Sequence, residues 1–381
     1  MKREGISRTQ LMALLWAGVL APAGELLPGL LLPLAGKGSW LAAALAAPLV
    51  LAGGWLLNCL SAERGIAGTL METLGPIAGR GIILLYMVWA QVLLTWNLRA
   101  SARRLLASGD RDGSLWFFLL ALAGVLIWIG RGKLEAFARA GQIFLVALLA
   151  AAGVVLALSV MQAKPEHLLP ISWREGAALG KGALTTAGVV GWGLFAAFLL
   201  GEVKDQGEPK GWHWTFWGLG GVLFLAAAQA VILGNLGAGL AMKLENPFFA
   251  LAKSVGVEGA FQRVESMISA LWTFADLTMG GVLVFALRAM AQSALPKKIG
   301  SWILWICVGL AAGGGLLLTP GTTMESLLSG KTIAWGNLIF AFLLPGLICL
   351  TRKAGGRKQA GGISCETEQG NGADIGVQKK K

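Results

Sequence analysis

The chain has 381 residues, of which 56% are hydrophobic and only 14% charged. A soluble domain carries about 25% charged residues, so this composition excludes an ordinary soluble enzyme, and its hydrophobicity excludes a disordered chain. The formal net charge is +12, but the basic residues flank apolar segments and gather toward the C-terminus, a distribution that reports membrane topology rather than nucleic-acid binding.

A membrane-spanning helix takes about 20 apolar residues, and ten such segments nearly exhaust the chain. In order, the expected spans are Ser7–Leu34, Ser39–Leu60, Gly81–Leu106, Ser114–Ile129, Gln142–Met161, Gly182–Gly201, Trp214–Leu240, Val264–Met290, Trp302–Leu318 and Ile333–Leu350. At the N-terminus, Lys2, Arg3 and Arg8 precede an apolar run, and Ala21-Pro22-Ala23 has the outline of a signal-peptide cleavage site. The apolar pattern resumes at once from Leu26 to Leu34, so the segment reads as one interrupted spanning helix. With the N-terminus in the cytoplasm, twenty of the 32 lysines and arginines fall on that side, which places both termini inside and agrees with an even number of spans. The segment 351–381 is glycine-rich, polar and basic, and reads as a disordered cytoplasmic tail.

Spans 1 and 6 carry the strongest pattern. Span 1 contains Gly18, Pro22, Gly24, Pro28 and Gly29, and span 6 contains Gly191, Trp192 and Gly193. The two occupy the same place in successive sets of five, the sequence sign of a transporter with inverted repeats and a binding site at paired interrupted helices. At about 1.5 Å per residue, both sets of glycines fall near mid-membrane. The competing reading is that these glycines let helices pack closely.

Charged residues within spans are costly and usually functional. Glu25 follows the expected break in span 1, and Asp276 lies in span 8, at nearly the depth of Gly18; Glu25 counts about 10 Å farther outward. A carboxylate at that depth suits a cation or a proton, or is simply hydrogen-bonded within the bundle. Tyr86 and Gln91 of span 3 suit either a ligand or a neighbouring helix, and Arg99, Arg103 and Arg104 read as interfacial anchors. No Ser/His/Asp set, phosphate-binding glycine loop or metal-ligand cluster is present, so the sequence predicts no enzyme activity, metal or cofactor.

Three segments carry a family resemblance. Ile6-Ser7-Arg8-Thr9-Gln10-Leu11 opens span 1, Leu168-Leu169-Pro170-Ile171 precedes span 6, and Arg263-Val264-Glu265-Ser266 with Trp272 opens span 8. Their order resembles the endospore germination permeases, the B subunits of spore germinant receptors in the amino acid–polyamine–organocation superfamily. The resemblance implies an all-α fold of ten spans in a 5+5 inverted repeat of LeuT-like type with broken helices 1 and 6. The halves would cover about residues 6–162 and 181–350. It further implies residence in the spore inner membrane, a small germinant such as an amino acid, and partnership with an A subunit and a lipoprotein C subunit. The resemblance implies a ligand pocket among spans 1, 3, 6 and 8, at Gly18 and its neighbours, Gly191 to Gly193, and Thr273 and Asp276; with the polar residues singled out above, the expected ligand set is Gly18, Ala21, Pro22, Gly24, Glu25, Tyr86, Gln91, Gly191, Trp192, Gly193, Thr273 and Asp276. The proline-rich, acidic stretch from Pro22 to Pro28 departs from the family's first span. An amino acid or cation permease working by alternating access is the alternative function.

Overall fold

In the computed structural model, the described residues are 5–60, 65–108, 114–169, 175–204, 212–244, 246–254, 264–318 and 329–350. The tail 351–381, Pro170 and Ile171, Arg263, and the side chains of Ala21, Glu265 and Ser266 lie outside them. Backbone polar groups in hydrocarbon must be satisfied within the segment. All the apolar segments accordingly wind into helices, and among the described residues the sole β-type pairing is a single bridge between Ile6 and Val203.

Eight helices are long and apolar enough to cross a membrane, and two shorter apolar helices, Ala47–Leu56 and Leu115–Arg131, complete the ten expected segments. The protein is therefore an all-helical polytopic membrane protein. Span 1 is Arg8–Ala35. Span 2 comprises two helices, Ser39–Ala44 and Ala47–Leu60, joined at Leu45–Ala46. Pro48 explains the joint, because its ring denies the Ala44 carbonyl its donor. Span 3 belongs to the long helix Gly65–Ser108, which bends at Gly75, where φ of 81° followed by Pro76 is a conformation only glycine adopts without strain. Span 4 is Leu115–Arg131 and span 5 is Leu134–Val160. Span 6 begins as the α-helix Gly176–Val190 and tightens into a 3-10 helix over Gly191–Glu202. Span 7 is Trp212–Ala241, followed by the short helix Pro247–Ser254. Span 8 is Val264–Ala294, span 9 Lys297–Leu317, and span 10 runs from Gly330 through a π-turn at Ile339–Leu343 to residue 350.

Spans 1 and 6 pack together, as do spans 2 and 7 and spans 3 and 8. A short helical stretch separates the second and third span of each set of five, residues 65–74 in the first and Pro247–Ser254 in the second. Both features belong to two five-span halves of opposite orientation, since an odd number of spans returns the second half from the other side. Spans 1, 6 and 8 form the centre, with span 6 buried over almost its whole length, while span 5 turns much of its surface outward.

The first motif of the sequence now has a physical meaning. Ser7 caps span 1 in a reciprocal box: its hydroxyl accepts from the Gln10 N–H at 3.1 Å, and the Gln10 side chain accepts from the Ser7 N–H at 2.9 Å. Ile6 donates to the Glu202 carbonyl at 3.1 Å and accepts from the Lys204 N–H at 3.0 Å, so the start of span 1 is stapled to the end of span 6.

The expected break in span 1 is a correction. Its winding is continuous through Pro22, Pro28 and Pro33. Each proline stands four residues after a glycine, so the carbonyls of Gly18, Gly24 and Gly29 lose their usual helical donor. The proline ring ordinarily strikes the residue one turn back, and a glycine there lessens the clash. The interruption thus falls on hydrogen bonding and leaves the backbone path helical. Span 6 is likewise unbroken, changing pitch at Gly191 rather than unwinding.

Candidate functional site

Span 3 packs along span 8, and near its C-terminal end the buried charges of spans 1, 3 and 8 meet. Arg104 places Nη2 2.8 Å from Glu25 Oε2 and 3.2 Å from Asp276 Oδ2. Both carboxylate oxygens bind one nitrogen, so they lie within about 6 Å of each other and not a further 10 Å apart in depth. Side-chain exposure falls from 26% at Glu25 through 13% at Arg104 to 3% at Asp276, so the cluster is open on the Glu25 side. Arg104 is therefore no interfacial anchor but the counter-ion of both carboxylates. Arg99 is buried too, donating to the Gly315 carbonyl of span 9.

Two neighbours fix Asp276. Asn97 donates to its backbone carbonyl at 3.0 Å, and the Ser101 hydroxyl stands beside its carboxylate. Three polar atoms of the cluster nonetheless have no hydrogen-bond partner: Asp276 Oδ1, and Nε and Nη1 of Arg104. Unmet polar groups in a buried site cost about 1–3 kcal/mol each, and more when charged. The site as built thus holds unused donors and acceptors side by side, which is what recognition of an ammonium together with a carboxylate or carbonyl requires.

The other sequence-predicted residues take different places. Gly18 and Gly24 face span 8 so closely that a β-carbon on Gly18 would lie 3.0 Å from the Met279 Cα, and one on Gly24 2.7 Å from the Trp272 ring. Gly191 meets Ala341 and Asn337 of span 10, Gly193 meets Leu15 of span 1, and Gly188 abuts the Ala334 backbone. Each of these glycines lies at a close helix contact, as the competing reading of the sequence expects. Pro22 is buried in the same span. Tyr86 donates to the Phe340 carbonyl at 2.7 Å within the π-turn, and Gln91 donates to the Cys307 carbonyl at 3.0 Å, so both spend a donor on neighbouring spans. The Thr273 hydroxyl donates one turn back to the Ser269 carbonyl at 2.9 Å. Trp192 is fully buried edge-on to Trp96, with its indole N–H unpartnered. Of the predicted set, Glu25 and Asp276 are brought together, and Arg104, Ser101 and Asn97 complete their surroundings.

Among the described residues, two apolar cavities border span 1. One of about 430 Å³ lies between spans 1, 5 and 7 along Trp16, Leu145, Phe216 and Gly221. The other, of about 60 Å³, lies where Leu15 and Trp16 approach Gly191 and Gly193 of span 6. Neither is lined by Glu25, Arg104 or Asp276.

A polytopic bundle with a charged cluster buried between its spans fits a membrane permease. Residues 6–312 match the family of spore germination proteins, the spore permeases, and the chain belongs to that family. None of the curated proteins compared matches it. Among solved structures, it is similar to a manganese transporter of Eremococcus coleocola, crystallised with an aromatic bis-isothiourea substituted compound. That likeness is at 12% identity and a TM-score of 0.40, covering 92% of this chain and 97% of the other.

Proposed function

We propose that the protein is the B-type subunit of a spore germinant receptor, a sensor built on a permease fold in the spore inner membrane. Two halves, about 6–162 and 181–350, form the ligand-responsive bundle, both termini face the cytoplasm, and the basic tail 351–381 emerges there. An A subunit and a lipoprotein C subunit read its state. The single observation that carries this reading is the Arg104 cluster, which ties spans 1, 3 and 8 through buried charges with polar atoms to spare. A ligand that binds one arrangement of these spans better than another shifts the population toward it, and partners respond to that shift.

The germinant would bind in the region framed by span 1 from Gly18 to Glu25, span 3, span 6 at Gly191 to Gly193, and span 8 at Thr273 and Asp276. Family membership supports the germination role. A germination assay tests it: spores lacking the gene are exposed to amino acids, sugars and nucleosides. Loss of response to one ligand class, restored by the intact gene, is the expected result. Unchanged germination across the whole panel refutes the reading. The alternative, a permease working by alternating access, draws on the pitch change of span 6 beside span 1. Saturable uptake into vesicles containing the purified protein alone would favour it.

A further inference from the structure

With both carboxylates ionised, the charges of the buried cluster do not balance among the described residues. One guanidinium faces two carboxylates, and all three side chains are at most about one-quarter exposed. Arg99 donates to the Gly315 carbonyl, and Arg103 lies exposed. An uncompensated charge among apolar helices is expensive. The unused atoms have a consistent layout. Asp276 is 2% exposed and keeps Oδ1 as a free acceptor, while Arg104 keeps Nε and Nη1 as free donors. Glu25 is the most exposed member of the three.

We infer that this cluster, on the reading above that the germinant binds among spans 1, 3 and 8, selects a net-cationic amino compound over neutral and acidic ones. A basic amino acid is the simplest member of the class. Its α-ammonium donates to Asp276 Oδ1, and its carboxylate accepts from Nε and Nη1 of Arg104. Its second positive charge cancels the surplus negative charge that Glu25 and Asp276 together impose. A neutral amino acid meets the same hydrogen bonds but leaves the surplus in place, and an acidic one increases it. Glu25 moves aside to admit the ligand, then pairs with its side-chain cation. Glu25 and Asp276 are thus the specificity-determining residues, and Arg104 is the anchor.

Binding to the purified full-length chain in lipid nanodiscs tests this without relying on germination. Radiolabelled L-lysine, L-alanine and L-glutamate are compared at fixed ionic strength. L-Lysine is expected to bind about ten-fold or more tighter than L-alanine, with L-glutamate weakest. Glu25→Gln and Asp276→Asn, both shape-conserving, are each expected to bring L-lysine and L-alanine to within about three-fold of one another. The thermal midpoint of each variant verifies that it is folded. The inference is overturned if none of the three binds, if L-alanine matches or exceeds L-lysine, or if both variants keep the lysine preference. It is also overturned if sodium chloride displaces L-lysine where choline chloride does not, which would make this an inorganic cation site. Equal lysine and alanine binding that falls in parallel as pH rises would point instead to a shared proton. The receptor reading stands or falls separately, by the response of spores lacking the gene.

Discussion

Removing the guanidinium should harm the protein far more than removing either carboxylate. Arg104 lies 3.2 Å from Asp276 and 2.8 Å from Glu25, which at an effective dielectric of about 20 gives gross attractions of about 5–6 kcal/mol each. The carboxylates, within about 6 Å of each other, repel by about 3 kcal/mol on the same basis. Partial exposure of Glu25 lowers its share toward the ~1.5 kcal/mol that water would leave. Arg104→Met strands both carboxylates and doubles the surplus negative charge, for an expected cost of about 3–5 kcal/mol. Asp276→Asn leaves Arg104 paired with Glu25 and removes the repulsion, so its expected cost is only about 1–2 kcal/mol. Unfolding of the purified protein in mixed micelles, titrated with sodium dodecyl sulfate and followed by tryptophan fluorescence, measures both. The reasoning is refuted if Asp276→Asn costs as much as Arg104→Met, or if Arg104→Met costs under about 1 kcal/mol.

The helix contacts give three further expectations. Gly24→Ala drives a β-carbon into the Trp272 ring and should cost about 1–3 kcal/mol, whereas Gly29→Ala, with nothing within 4 Å of the new carbon, should be neutral or slightly stabilising; thermal midpoints compare the two. Tyr86→Phe removes the donor to the Phe340 carbonyl and should lower stability by about 1 kcal/mol, read from the same denaturant titration. Pro22→Ala restores a donor to the Gly18 carbonyl, so it should raise stability by about 1–3 kcal/mol while slowing the germination response through a stiffer span 1; faster germination would argue against that role.

The ten spans were legible because hydropathy and length are local properties that the bilayer enforces residue by residue. The start of span 1 carries a capping signal, Ser7 and Gln10 three residues apart, which entered the sequence reading only as part of a family resemblance. The continuity of span 1 was not legible, because proline is read as a breaker. Here three separate prolines each remove one hydrogen bond, and spans 6 and 8 hold the helix on course. The carboxylates of the site were visible as charges within apolar runs. Arg104 was hidden among Arg99 and Arg103, since three basic residues near a span end usually lie at an interface. A signal existed: two buried carboxylates demand a buried cation, and Arg104 is the residue that reaches both. The close approaches of Gly18, Gly24 and Gly188 depend on which helix stands opposite, and no single sequence records that.

The staple between Ile6 and Val203 makes the near ends of two antiparallel posts a common fulcrum. Glu25 stands about 25 Å along span 1 from Arg8, so a tilt of about 10° about that point would carry it roughly 4 Å sideways. Such a sweep exceeds the length of an ion pair. A modest lever movement, with no helix rewound, is enough to prise Glu25 from Arg104 and expose the charge behind it.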